Sequence, residues 1–235
     1  MSQKSTFQIS CPFCRHEQTV ELWDALNVQE DPGLREELLA SRINLVTCGA
    51  CEKHFRVDKS LVYIDVDQEI MVHLEPLTKG RTLEQVSADF VEAERLLQKK
   101  FPPDVPAPSI HLVVDWAELI ERIFVLEEGL DSRVIEYVKY GMHRMNPKKL
   151  PADKKRLLFD VADSSDEQLT FVVQDLESRR LEATLNFSRT DYEGLLNLFD
   201  GDEQTALLLE QFPGPYFNGR MRYLQDQLDG RIAQT

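Results

Sequence analysis

The four cysteines of this chain fall in two pairs of one spacing, Cys11-Pro12-Phe13-Cys14 and Cys48-Gly49-Ala50-Cys51. A C-x-x-C segment can fold as a tight turn whose two sulfurs point to one side while turn N–H groups hydrogen-bond them. Two such turns facing each other supply a tetrahedral cage of four thiolates, with zinc–sulfur distances of about 2.3 Å. Cys11, Cys14, Cys48 and Cys51 are therefore the expected metal ligands, and zinc the expected cofactor. The 33 residues between the pairs exceed the roughly 15–20 usual for such a motif, so a segment has to be looped out between the turns.

Local patterning supplies that segment. Phe7–Ser10 and Gln18–Leu22 read as short strands on either side of the first pair, and Ile43–Thr47 and His54–Val57 do the same for the second. Between these hairpins, Asp31 is the expected cap of a helix with Pro32 at its first position and Leu34, Leu38 and Leu39 on one face. A third strand pair, Leu61–Val66 and Glu69–Leu74, turns at Asp67-Gln68 and completes a small sheet.

The Cys-Pro-Phe-Cys pair, the stretch Asn27–Arg35, the Cys-Gly-Ala-Cys pair and Leu61-Val62-Tyr63-Ile64-Asp65 together resemble the CpXC domain, over about residues 6–130. The resemblance implies a zinc-ribbon-like fold with an insertion, the same four cysteine ligands and no assigned activity. Arg15 and Glu52 follow the two pairs, at positions where zinc turns often place Gly for a positive φ.

Two other readings of the cysteines stand beside this one. Cys11-Pro12-Phe13-Cys14 is also the form of a thiol–disulfide oxidoreductase motif, with Cys11 as nucleophile, and the four thiols could form a cluster without metal. The redox reading requires a helix directly after Cys14, yet the residues there alternate like a strand, and it leaves Cys48 and Cys51 without a role. A closed four-cysteine site has no open position for water, so His16 and His54 are taken as strand residues, and His73, His111 and His143 as structural.

Beyond residue 80 the pattern becomes mixed, and the expected fold class is α+β. Residues 1–80 form the zinc-ribbon-like part and 81–146 a helical part with a proline-rich linker at 101–108. Residues 147–235 add a small antiparallel sheet with helices. Thr82 with Gln85, Asp115 with Glu118 and Thr190 with Glu193 are capping boxes, and Asp131 starts a further helix. Leu157, Phe159 and Val161 alternate, as do Leu169, Phe171 and Val173, and Leu181 to Phe187 form a third strand. The run Arg144–Arg156, with six basic residues and one acidic, reads as a solvated linker, with an anion-binding patch as the alternative. A final helix carries Met221, Leu224, Leu228 and Ile232 as an apolar stripe that docks on the chain or on a partner.

Charge narrows the function. The chain carries −14 overall, and residues 1–60, 61–108 and 109–235 carry −2, −4 and −8, so no large segment is positive. That opposes binding to nucleic acid or to an anionic membrane surface. No apolar run approaches the length of a bilayer span, and the N-terminus lacks the apolar stretch of a secretory signal, which points to a cytoplasmic location. Phosphate-loop, nucleophile-elbow and zinc-protease motifs are missing. The expectation is a non-catalytic zinc protein whose partner is another protein or a second copy of itself.

Overall fold

The first cysteine pair forms the tip of a long hairpin. Strand β1 (Gln3–Ser10) leads into the turn and β2 (Glu17–Asn27) leaves it, paired antiparallel from Ser10↔Glu17 to Gln3↔Ala25. The structure, a computed structural model, describes residues 1–78, 80–99 and 109–232. The second cysteine pair caps a shorter hairpin of β3 (Leu45–Thr47) and β4 (His54–Arg56), with Thr47↔His54 the last pairing before the turn.

Between the hairpins lies α1 (Gly33–Leu39), the looped-out segment, which buries Leu34 and Leu38. Its N-cap is Pro32 without a side-chain capping bond, so the expected Asp31 side-chain cap is not made. Asp31 contributes its carbonyl instead, accepting from the Leu34 N–H at 3.0 Å. A seven-residue helix is too short to be stable by propensity, and its two buried leucines hold it in place.

Strands β5 (Leu61–Asp65) and β6 (Ile70–Leu74) pair antiparallel, and each buries alternate residues as period-two patterning requires. The sheet they complete is mixed and larger than expected. Its order is β1-β2-β5-β6-β7, with β2 parallel to β5 and β6 parallel to the short β7 (His111–Val113). Parallel neighbours need a long crossover, and here each has one. The first crossover carries α1 and the second cysteine hairpin, and the second carries α2 (Leu83–Gln98), which starts at the expected Thr82–Gln85 capping box. The expected linker at 101–108 lies outside the described residues.

The chain divides into two compact units, Met1–Ile120 and Glu121–Thr235. Helix α3 (Trp116–Glu127) begins where Asp115 Oδ1 accepts from the Ala117 and Glu118 N–H groups, and Gly129, at φ +66°, follows its end. Asp131 caps α4 (Ser132–Met145) through the Arg133 and Val134 N–H groups, and Val134, Ile135, Val138 and Met142 are buried as the periodicity predicts.

The second unit is built on an antiparallel sheet of order β10-β9-β8, formed by β8 (Lys155–Asp160), β9 (Gln168–Asp175) and β10 (Leu181–Ser188). Leu157, Phe159, Leu169, Phe171 and Val173 share one core with Ile135 and Val138 of α4. In the run 144–156 Arg144, Lys148, Lys149 and Lys154 are solvated as expected, but the segment as a whole is not a linker. Leu150, Ala152 and Arg156 are buried, Arg156 donates to Gln174 Oε1 at 2.8 Å, and Lys155 and Arg156 open β8.

Two further corrections concern the last helices, α5 (Arg189–Phe199), α6 (Asp202–Gln211) and α7 (Gly219–Leu228). Ser188, rather than Thr190, caps α5 by accepting from the Asp191 N–H. On α7 the buried residues are Gly219, Tyr223 and Asp226; of the expected stripe Leu224 and Ile232 pack against the core of the second unit, while Met221 and Leu228 are exposed. The chain is α+β, as its sequence predicts.

Candidate metal centre

The two cysteine turns are built alike. In the first, the Cys11 N–H donates to the His16 carbonyl and the Arg15 N–H to the Cys11 carbonyl, both at 2.9 Å. In the second, Cys48 N–H donates to Lys53 and Glu52 N–H to Cys48, both at 3.0 Å. The residue that closes each turn has a left-handed backbone, φ 60° at Arg15 and 58° at Glu52, at the positions where glycine would have been expected.

Polar side chains align the hairpins across the sequence gap. Gln18 of β2 donates its amide to the Thr47 carbonyl at 3.2 Å and accepts from the Gly49 N–H at 2.9 Å. Asn44 accepts from the Trp23 N–H at 2.7 Å and donates to the Trp23 carbonyl at 3.1 Å, taking the place of a strand partner. Lys59 reaches Asp24 Oδ1 at 2.5 Å and the Trp23 carbonyl at 3.1 Å.

These ties bring all four sulfurs within 4.8 Å of one another. The nearest sulfur pairs cross between the turns, Cys11 to Cys51 at 3.8 Å and Cys14 to Cys48 at 3.6 Å. All four cysteines are free thiols, Cys11 and Cys48 buried, Cys14 exposed and Cys51 half-buried. The four are positioned to bind a metal ion. His54 is held instead by Thr47, whose Oγ1 lies 2.8 Å from its Nδ1, and neither it nor His16 belongs to the cluster.

The electrostatics of the bare thiols point the same way. Backbone N–H groups of Cys51 and Ala50 directed at the Cys48 sulfur pull its pKa down to about 6, against the effect of burial. At Cys14 the His16 N–H also pulls downward, but burial and the sulfurs of Cys51, Cys48 and Cys11 outweigh it and push the thiol up to about 12. Four like charges this close repel strongly, and a bound cation would let every sulfur ionise. The requirements of a redox nucleophile are not met at Cys11. It is 1% exposed, and strand β2 rather than a helix follows Cys14.

The chain matches the family described as CpXC protein over residues 9–139, more than half its length, and belongs to that family. No curated protein and no solved structure matches it. No helix among the described residues is long and apolar enough to cross a membrane.

Two other polar clusters have no sequence motif to announce them. Ser60 Oγ lies 2.8 Å from His73 Nε2, and Glu75 Oε2 lies 3.5 Å from the same nitrogen. Because both partners meet one nitrogen, His73 does not stand between them as a proton relay. In the second unit Lys139 donates to Glu121 at 2.9 and 3.0 Å and to Glu136 at 2.8 Å, all three side chains being buried. The remaining lone pairs are used as well: Glu121 accepts from the Phe159 N–H and Glu136 from the Gly219 N–H, each at 2.7 Å.

Proposed function

We propose that Cys11, Cys14, Cys48 and Cys51 hold one zinc ion as a structural centre, and that the chain is a non-catalytic protein-binding or scaffold module of the cytoplasm. The observation that carries this reading is the crossed sulfur geometry. The 3.6 and 3.8 Å separations correspond to the edge of a tetrahedron with zinc–sulfur bonds of about 2.3 Å, which is about 3.8 Å.

Four thiolates are soft ligands, which favour zinc or iron over magnesium or calcium. They also fill a tetrahedral site, leaving no position at which water or substrate is activated. The ion would then act as a cross-link. It joins the β1–β2 turn to the β3–β4 turn, and three-residue strands such as β3 and β4 need such a staple. Support for the binding half of the proposal comes from α7, whose Met221 and Leu228 are left exposed, by 39% and 76%.

Metal analysis by inductively coupled plasma mass spectrometry on untagged protein tests the centre, with thiol titration before and after chelation. About one zinc per chain, with thiols that react only after chelation, is the expected result. One iron per chain would change the metal, and a Cys11–Cys14 disulfide without metal would overturn the reading.

A further inference from the structure

The second unit contains a cleft remote in sequence from the cysteines. It is an open cleft lined by α4, the end of α5, α6, α7 and Arg231, and measures about 870 Å³. Small-ligand sites usually measure roughly 300–1,000 Å³. We propose that this cleft binds a small amphipathic oxyanion, an apolar ring bearing a carboxylate or phosphate group. The ring lies against Leu198, Phe199 and Leu207 and the charge on Arg144 and Arg222.

The charge of the lining is the first argument. In a chain of net charge −14, the cleft collects the guanidinium groups of Arg144, Arg222 and Arg231 against the carboxylates of Glu210 and Asp226. Asp226 is buried, and Arg222 and Arg231 share it: both approach Oδ1, at 3.0 and 3.1 Å, while the Tyr140 hydroxyl donates to Oδ2 at 2.9 Å. Arg231 also meets Asp229 Oδ2 at 3.3 Å, but for Arg222 no carboxylate other than the shared Asp226 is paired among the described residues, and a guanidinium offers five N–H donors. The unused capacity is visible. Arg222 Nε is buried without a hydrogen-bond partner, and Arg144 makes no ion pair among the described residues. The Arg222 guanidinium is thus under-coordinated, and an oxyanion matches the planar forks that Arg222 and Arg144 bring to the cleft.

The second argument is the opposite wall. Leu198 and Leu207 are 52% and 58% exposed although they line a concave surface, and Phe199 is braced beside them by an edge-to-face contact with Tyr137 at 5.2 Å. A ligand that was only charged would leave this wall wet. A ligand that was only apolar would leave Arg144 without a counter-charge and Arg222 with Asp226 alone.

The third argument is rigidity. Helix α7 meets α4 at Gly219, whose N–H donates to Glu136 Oε2 at 2.7 Å. A Cβ there would lie 2.1 Å from the Glu136 carbonyl oxygen and 2.8 Å from the Tyr140 nitrogen. That close approach fixes Arg222 and Asp226 relative to Tyr140, so the cationic side of the cleft is organised before any ligand arrives.

Isothermal titration calorimetry of the full chain with naphthoate, naphthyl phosphate and the neutral naphthalenemethanol tests the proposal. At least one of the two anions should bind saturably at millimolar concentration or below, and the neutral compound about tenfold or more weakly. The stronger of the two anions identifies the source chemistry as carboxylate or phosphate ester. Arg144→Ala and Leu207→Ser, both at exposed positions, should each weaken that binding by about tenfold while leaving the circular dichroism unchanged. Failure of the wild-type chain to bind either anion, equal binding of the neutral compound, or undiminished binding by both variants would overturn it. The metal content of the cysteine centre does not enter any of these outcomes.

Discussion

Around the cysteines, β3 and β4 span three residues each and bury Val46 alone, whereas on β8 and β9 the side chains of Leu157, Phe159, Leu169, Phe171 and Val173 are all buried in one core with α4. The first arrangement has little apolar area to hold it. Its hairpins meet through the Gln18 and Asn44 side chains and through four sulfurs. The second arrangement has a continuous core and adds to it a buried ion cluster. With the proposed metal in place, the cysteine site and the apolar core would solve the same problem of opposing chain entropy, and would differ in how each fails: one with chelation, the other with loss of packing.

The sharpest way to break this comparison is Cys48→Ser. If zinc staples the hairpins, this variant should lose native protection of the amides from Ile43 to Val57 in hydrogen exchange, with those of β8 and β9 unchanged. Chelation of the wild-type chain should reproduce the pattern. Unaltered exchange in the variant would mean that the polar clamps suffice and the metal is dispensable for the fold.

Lys139→Met probes the second unit in the corresponding way. Burial drags the Lys139 ammonium down, but the carboxylates of Glu121 and Glu136 outweigh it and hold the pKa above its ordinary value. Burial holds the Glu121 carboxyl above the usual carboxylate range despite Lys139. Glu136 shares this ammonium with the buried Arg122, 3.8 Å away, whereas Glu121 pairs with Lys139, so removing it leaves the Glu121 carboxylate as uncompensated buried charge. The expected loss is about 3–5 kcal/mol in urea unfolding of the second unit. Replacing Lys139 and Glu121 together by apolar side chains of similar volume, which leaves Glu136 with Arg122, should recover much of it.

A smaller effect follows pH. His143 is fully buried; its Nδ1–H donates to the Leu150 carbonyl at 3.0 Å, and Nε2 has no hydrogen-bond partner. Burial is the main cause that holds its pKa down at about 4, with nearby Lys139 and Arg220 adding to it and the Leu150 carbonyl and Glu136 opposing. The ring also stacks on Tyr223 of α7, with centroids 6.0 Å apart. Between pH 6.5 and 4 the unfolded chain binds a proton that the folded chain refuses, so stability rises with pH across that window and falls as the solution is acidified. The stability lost between neutral pH and acid below pH 4 is about 3 kcal/mol. The slope of unfolding free energy against pH should be shallower in His143→Gln than in the wild type, and equal slopes would refute the assignment.

The features legible in the sequence are those whose cause is local. The C-x-x-C spacing, the alternation of Leu61 to Asp65 and Ile70 to Leu74, and the caps at Thr82 and Asp131 each depend on neighbours a few residues away, and each is present. What escaped is held by partners distant in the chain. Strand β7 is only three residues long, and its pairing with β6 crosses more than 30 residues. Gln18 and Asn44 are ordinary polar residues until the turns face each other. On the last helix the reading by hydrophobicity selects Met221, Leu224, Leu228 and Ile232, of which Leu224 and Ile232 pack against the core, but Gly219 docks because it lacks a side chain and Asp226 because three donors meet it. Apolar patterning has no weight for either reason. Lys139 and Glu121 are hidden in the same way, as charged positions that would be assigned to solvent.

The least of these effects has the opposite sign and was visible from the start. Glu52 closes the second cysteine turn at φ 58°, where an L-residue with a Cβ is strained by about 1–2 kcal/mol. Its N–H bond to the Cys48 carbonyl is a backbone contact that any residue other than proline can make. Glu52→Gly keeps that bond, relieves the strain and gives back part of the gain through the greater freedom of glycine in the unfolded chain, about 0.5–1 kcal/mol. The expected net result is a stabilisation below about 1 kcal/mol, seen as slower metal loss to a competing chelator. Because Arg15 repeats the geometry at φ 60° in the first turn, Arg15→Gly should give a change of the same sign and size. Unequal responses would show that the two turns, alike in their hydrogen bonds, do not carry the metal equally.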